Sequence, residues 1–209
     1  MHEEEKQLLR SVSRSFYLSL IVLPEAMRWP TALAYLLARL SDTIADAGEA
    51  TTKARLGWLA AFESAIKGED WSPEKSWESW QTSLSHEGEK QLVGSADRWI
   101  EAYRALPEET RSHLFEVILT VIEGQRWDLT YFGDKEFRAC PDAEQLDRYT
   151  FQVAGVVGQF WTKIAYSELG KKFADPDDAS DLLIRGKKLG KALQLINILR
   201  DYGEDLRAG

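Results

Sequence analysis

Several things are scarce in this sequence, and each scarcity excludes something. Cysteine occurs once, as Cys140, so no disulfide can form within the chain and a reducing compartment is expected. Cys140 precedes Pro141 in a loop-like stretch and is expected to be an incidental thiol. Histidine occurs three times, as His2, His86 and His113, with no zinc-binding spacing. Basic charge is in the minority, with 26 Lys and Arg against 34 Asp and Glu. No basic stripe is visible, so nucleic acid is not an expected partner. Long apolar runs are missing too. No window reaches the ~18 uncharged apolar residues of a membrane-crossing helix. The opening "MHEEEKQLLRSVSRS" lacks the basic segment and apolar run of a signal peptide, and a cytoplasmic location is expected.

What is present is helix-forming sequence. The chain has 209 residues, 44% of them hydrophobic, enough for one substantial domain with a core. Apolar residues recur at helical rather than alternating spacing. Helices are expected over about 4–23, from Pro30 to about 47, and over 51–66, 74–84, 88–105, 108–131, 142–168 and 178–205. Pro30 suits a first helical position, Gly48 a helix end, and Ser72 an N-cap before Pro73. Eight tryptophans, including Trp71, Trp77 and Trp80, are expected to pack helices together. There is no solenoid repeat and no low-complexity tract. An all-α fold in a single domain over 1–209 is the economical expectation.

Three Asp-x-x-x-Asp pairs occur: Asp42/Asp46, Asp177/Asp181 and Asp201/Asp205. Residues four apart share a helix face. With 14 aspartates in the chain, about one such pair is expected by chance, so the spacing alone is weak. Asp177/Asp181 opens a helix, where acids suit the free N–H groups and the dipole, and is expected to be structural. The other two pairs close helices, where acids are disfavoured. At about 100° per residue, Tyr35, Arg39, Asp42 and Asp46 fall within roughly 60°. Gln194, Asn197, Asp201 and Asp205 share one narrow sector of the last helix. Two readings stay open from spacing alone. In one, Arg39 pairs with Asp42, and Arg200 or Arg207 with Asp205, as ordinary ion pairs. In the other, the stripes hold Mg²⁺ ions that clamp a diphosphate, because hard cations take carboxylate oxygens.

Four stretches together resemble the squalene/phytoene synthase family of head-to-head prenyl transferases. They are "SVSRSFYLSL", "YLLARLSDTIADAGE", "YTFQVAGVVGQF" and "LQLINILRDYGEDLRAG", in order from Ser11 to Gly209. The resemblance implies the all-α isoprenoid-synthase bundle, with two aspartate-rich helices facing each other across a central cavity. It implies that Asp42, Asp46, Asp201 and Asp205 bind Mg²⁺ (or Mn²⁺), assisted by Asn197. Ser13, Arg14, Ser15, Arg39 and Arg200 would contact diphosphate oxygens. Tyr149 would act in proton transfer or cation stabilisation. Phe16, Tyr35, Val153, Val157 and Gln194 would line the prenyl channel. Gly155 and Gly158 would let a prenyl chain or a helix pass close to the backbone.

The implied reaction joins two prenyl diphosphates, two C15 units in the first instance. An allylic cation forms in a dry apolar pocket, a cyclopropyl diphosphate follows, and a second ionisation leads to squalene or a related C30 product. Phytoene synthesis from C20 substrates is the alternative. A farnesyl diphosphate phosphatase and a non-catalytic helical interaction protein are further rivals. Peripheral membrane contact is compatible with such products, and either a monomer or a dimer fits. Two departures from the family pattern stand out. Thr43 and Ala45 occupy positions where many members carry an additional acid. The chain also ends four residues after Asp205, where further helices are usual in the family, so it reads as C-terminally truncated. Nothing in these residues supports NADPH use.

Overall fold

The structure is a computed structural model, and it describes residues 1–13, 16–133 and 138–208, apart from the side chains of Glu204, Asp205, Arg207 and Ala208. Eleven α-helices appear among the described residues, and no strand. The chain divides into two compact units, Met1–Leu119 and Thr120–Gly209.

The first unit is built around its third helix. It contains α1 (Glu3–Ser13), α2 (Phe16–Ile21), α3 (Glu25–Asp46), α4 (Thr52–Ile66), α5 (Ser76–Ser83), α6 (Glu87–Gly94), α7 (Ala96–Arg104) and the start of α8 (Glu108–Tyr131). Helix α3 touches α1, α2, α4, α6 and α7, and Leu33, Leu36, Leu37, Leu40 and Ile44 on it are fully buried. The tryptophans pack elements together as expected. Trp58 of α4 meets Trp80 of α5 at 4.7 Å and Trp77 at 5.7 Å, and Trp71 joins them through Trp77 at 5.1 Å.

Several helix limits follow the sequence signals. Thr51 caps α4 by accepting the Ala54 N–H at 3.2 Å. Gly48 takes a φ of 65° just beyond α3, a conformation that costs glycine little. Other limits differ. The segment expected as one helix over 4–23 forms α1 and α2. Helix α3 begins five residues before Pro30, which lies buried within it. A proline so early removes one ladder hydrogen bond. No side chain caps α5, which starts at Ser76 rather than after Ser72. The helix expected over 88–105 breaks at Ser95, next to Gly94, a weak helix former. A Cβ at Gly94 would meet the Gln81 amide nitrogen, the movable end of a side chain on α5.

The chain enters the second unit within α8. There follow α9 (Ala143–Thr150), a π-helical segment (Phe151–Gly155), α10 (Val156–Leu169), two 3₁₀ turns (Gly170–Lys172 and Pro176–Asp178) and α11 (Ala179–Ala208). Asp142 caps α9 by accepting the Gln145 N–H at 2.8 Å. The expected helix over 142–168 is therefore continuous but widens by five π-helical residues. Such segments are rare and concentrate at functional sites.

Helix α11 lies against α9, the π segment and α10. Glycines bring the backbones together. A Cβ on Gly186 would sit 2.5 Å from the Gly158 carbonyl oxygen, and one on Gly158 would strike the Gly186 carbonyl. Gly155 backs onto Lys187 and Lys191 of the same helix. The close passage expected at Gly155 and Gly158 is therefore made by a helix.

Candidate active site

In the first unit the polar stripe of α3 is intact. Tyr35 stacks on Phe16 with ring centres 4.6 Å apart and donates its hydroxyl to the Val12 carbonyl at 3.0 Å. That fixes both rings at the junction of α1, α2 and α3. Ser13 is buried and donates its hydroxyl to the Leu9 carbonyl. Arg14 and Ser15 lie outside the described residues. One turn along from Tyr35, Arg39 does not reach for Asp42. Its Nη2 donates to Glu89 Oε1 of α6 at 2.6 Å, while its buried Nε meets no acceptor.

Asp42 is half-buried and Asp46 exposed at the end of α3. Asp46 keeps an outlet to solvent, yet the protein crowds it enough that desolvation raises its pKa, with Arg55 and then Arg39 pulling it back. Thr43 and Ala45, where an additional acid is common in the family, are both buried, and Thr43 donates its hydroxyl to the Arg39 carbonyl at 2.8 Å. Neither is placed to ligate a metal.

The carbonyls ending α3 have a partner that the sequence reading missed. Arg55 is buried and donates to the carbonyls of Ile44 at 3.0 Å, Ala47 at 3.0 Å and Gly48 at 2.8 Å. A cation at a helix C-terminus offsets the dipole. Burial lowers the Arg55 pKa and Asp46 partly restores it. The acid at the end of α3 therefore does not face a bare dipole. A signal for Arg55 existed, because the last turn of α3 contains no basic residue and the next helix opens with Lys53 and Arg55. Glu89 had no comparable local signal.

In the second unit, Tyr149 ends α9 half-buried, its ring 5.4 Å from Trp127 of α8. Trp127 in turn stacks on Tyr131 at 5.2 Å. The sequence reading missed this aromatic group. Val153 lies in the π segment and Val157 in α10, both half-buried. On α11, Asn197 Nδ2 donates to Gln194 Oε1 at 3.5 Å, which places the two on one face. Arg200 grips Asp201 with two bonds of 2.7 Å, Nε to Oδ1 and Nη2 to Oδ2. That bond lowers the Asp201 pKa and holds its carboxylate ionised, the state in which it can bind a cation. The Asp205 side chain lies outside the description.

The remaining aspartate pair lies at the entry to α11, split between two elements. Asp177 belongs to the 3₁₀ turn before α11, its N–H bonded to Asp175 Oδ1 at 3.1 Å. Asp181, in the first turn of α11, pairs with Arg185 at 2.6 Å.

The apolar residues around the polar stripe of α11 are open: Leu189, Leu193, Ile196 and Leu199 are exposed, Leu199 by 77%. Alternation of apolar and polar residues along a helix shows which faces differ, not whether a neighbour covers them.

The donors on both stripes are hard oxygens, the set that Mg²⁺ prefers. Asp42, Asp46, Asn197 and Asp201 would supply them, and Asp46 stays under-compensated despite two nearby arginines. Among the described residues, no three His, Cys, Asp or Glu side chains already form a metal cluster. No described helix is long and apolar enough to cross a membrane.

The motif order agrees with comparisons to known proteins. The squalene/phytoene synthase family profile matches residues 9–209, and the chain belongs to that family. It is 34% identical over 200 residues to a phytoene synthase of Thermus thermophilus, covering 96% of this chain and 54% of the relative. It is 30% identical over 201 residues to a squalene synthase of Schizosaccharomyces pombe, covering 95% of this chain and 41% of the relative. A solved structure of TcSQS with the ligand E5700 superposes with a TM-score of 0.74 at 24% identity, over 97% of this chain and 54% of that one. The shared fold is the all-α isoprenoid-synthase architecture. The chain thus spans about half the length of the curated relatives it matches.

Proposed function

We propose that the protein takes part in the Mg²⁺-dependent head-to-head condensation of two prenyl diphosphates, with two farnesyl diphosphates as the first reading. The observation that carries this is the pair of polar stripes. Tyr35, Arg39, Asp42 and Asp46 form one on α3, and Gln194, Asn197 and Asp201 another on α11, with Arg200 bound to Asp201. They occur in a chain that the family profile matches from residue 9 onward. In this reading Asp42, Asp46, Asp201 and Asp205, assisted by Asn197, hold Mg²⁺, or Mn²⁺ in its place. The bound ions supply Lewis acidity that stabilises the departing diphosphate.

The chain's own residues do the rest. Arg39 and Arg200 bind diphosphate oxygens through planar, permanently charged guanidinium groups. Phe16 and Tyr35 in the first unit, and Val153 and Val157 in the second, would offer prenyl chains apolar surface, which keeps water from an allylic cation. Tyr149, packed on Trp127, would supply a phenol and an aromatic face, suited to taking up the proton lost on cyclopropane closure or to stabilising the cation. A second reading, with C20 substrates and phytoene as product, is favoured by the 34% identity to a phytoene synthase.

Incubation of the chain with farnesyl or geranylgeranyl diphosphate and Mg²⁺, with products resolved by mass spectrometry, tests this. A C30 hydrocarbon or cyclopropyl diphosphate supports the first reading and a C40 product the second. Farnesol as sole product replaces both with a phosphatase. Neither turnover nor Mg²⁺-dependent binding leaves a helical interaction protein.

A further inference from the structure

Glu89 belongs to no motif picked out in the sequence, yet it is the carboxylate that holds Arg39. Its position is well fixed. It is the third residue of α6, and its N–H is bonded to the side chain of the N-cap residue, His86, at 3.2 Å. A glutamate at this place usually turns back to the N-cap N–H in a capping box. This one instead reaches across to α3 and accepts from Arg39 Nη2 at 2.6 Å, with its own side chain only 17% exposed. The start of α6 is also seated tightly. A Cβ on Gly88 would come within 2.5 Å of Ser11 Oγ and 3.0 Å of Ser11 Cβ, so α6 packs closely on α1 at that point.

The bond engages one amine of the guanidinium. Arg39 Nε is buried without an acceptor, so that edge faces protein, while the side chain as a whole is 35% exposed and so keeps donors within reach of an outside oxygen. A guanidinium in this pose is aimed rather than free to sweep. It is also on the same narrow sector as Asp42 and Asp46.

We infer that Glu89 is a positioning residue, which orients Arg39 beside the Asp42/Asp46 stripe so that its remaining donors meet a diphosphate. This rests on the proposed diphosphate chemistry. The sign of the effect separates it from bulk electrostatics. Removing a negative charge near an anion site strengthens anion binding by Coulomb's law. Removing a positioning carboxylate weakens it, because Arg39 loses its orientation.

The test is the affinity of the full chain for inorganic diphosphate with Mg²⁺, by calorimetry, in the wild type, Glu89→Gln, Glu89→Asp, Arg39→Ala and the Arg39→Ala/Glu89→Gln double variant. Glu89→Gln keeps an acceptor oxygen but gives up the ion pair, and it weakens binding about threefold, the difference between a charge-assisted and an ordinary hydrogen bond. Glu89→Asp weakens it less. In the double variant the loss equals that of Arg39→Ala alone, since both act through one side chain. The thermal midpoint of Glu89→Gln stays near that of the wild type. Unchanged or tighter binding in Glu89→Gln, additive losses, or a loss that tracks the thermal midpoint overturns the inference. Glu89-dependent diphosphate binding without prenyl turnover removes the proposed reaction and keeps Glu89's role. Turnover with indifference to Glu89 does the reverse. A wild type that binds no diphosphate removes both.

Discussion

Helices α3 and α11 carry similar aspartate stripes in opposite surroundings. Around the α3 stripe, Leu36, Leu37, Leu40 and Ile44 are wholly buried. Around the α11 stripe, Leu193, Ile196 and Leu199 stand in solvent. The acids differ in the same way. Asp46 is crowded by protein and its pKa is raised, while Asp201 is gripped by Arg200 and its pKa is lowered. Helix α3 is thus held in place by its own unit, with Arg55 closing its end and Glu89 holding its arginine. Helix α11 is held along one side by the glycine seam of α10, and its other apolar face is open. Patterned polarity is common to both; burial is what distinguishes them.

The largest test asks whether the stripes are equal in function despite this. Asp42→Asn and Asp201→Asn should each lower turnover of prenyl diphosphate about a hundredfold or more, with the helical circular dichroism unchanged. A large loss in one and none in the other would show that only one stripe binds metal. Next in size is the packing contrast. Leu37→Ala should cost about 2–5 kcal/mol in chemical denaturation, the range for a truncated core leucine. Leu199→Ala should stay within about 0.5 kcal/mol, as for an exposed position. Equal costs would mean that the open face of α11 is covered in solution.

A subtler contrast lies in pH. The raised pKa of Asp46 means that its ionisation opposes folding, so its stabilising contribution is present in acid and lost as pH rises through its folded pKa. Asp46→Asn should therefore melt at or above the wild type at neutral pH, with the difference closing in acid. Asp201 has the opposite sign, stabilising above the ordinary carboxylate pKa and losing that as pH falls through its lowered value. Asp201→Asn should melt slightly below the wild type at neutral pH. Matching signs in calorimetric melts would refute the contrast. The smallest effect belongs to Asp177→Asn. Asp175 supplies the bond to the Asp177 N–H, so neither activity nor melting should change measurably.

Much of this was legible from sequence, because the signals are local. Helical spacing marked most of the helices, Gly48 marked the end of α3, and the stripes follow from 100° per residue. The misplaced boundaries lie at weak or awkward helix residues: Gly94 interrupts the stretch expected over 88–105, and Pro30 is accommodated inside α3. The π segment widens a stretch whose spacing reads as ordinary helix.

The sequence by itself determined the helical class, the faces of α3 and α11 that carry acids, and the family to which the chain belongs. The first two depend on residues within a few turns of one another, and the family on the order of four short motifs along the chain. Only the tertiary structure decided which partners the charges take and which faces are buried. Arg39 meets a glutamate fifty residues away rather than the aspartate three residues on. Arg55 closes a helix that it does not belong to. The leucines of α3 and α11 look alike in the sequence, and only the helices packed beside them settle whether they lie in a core or in water.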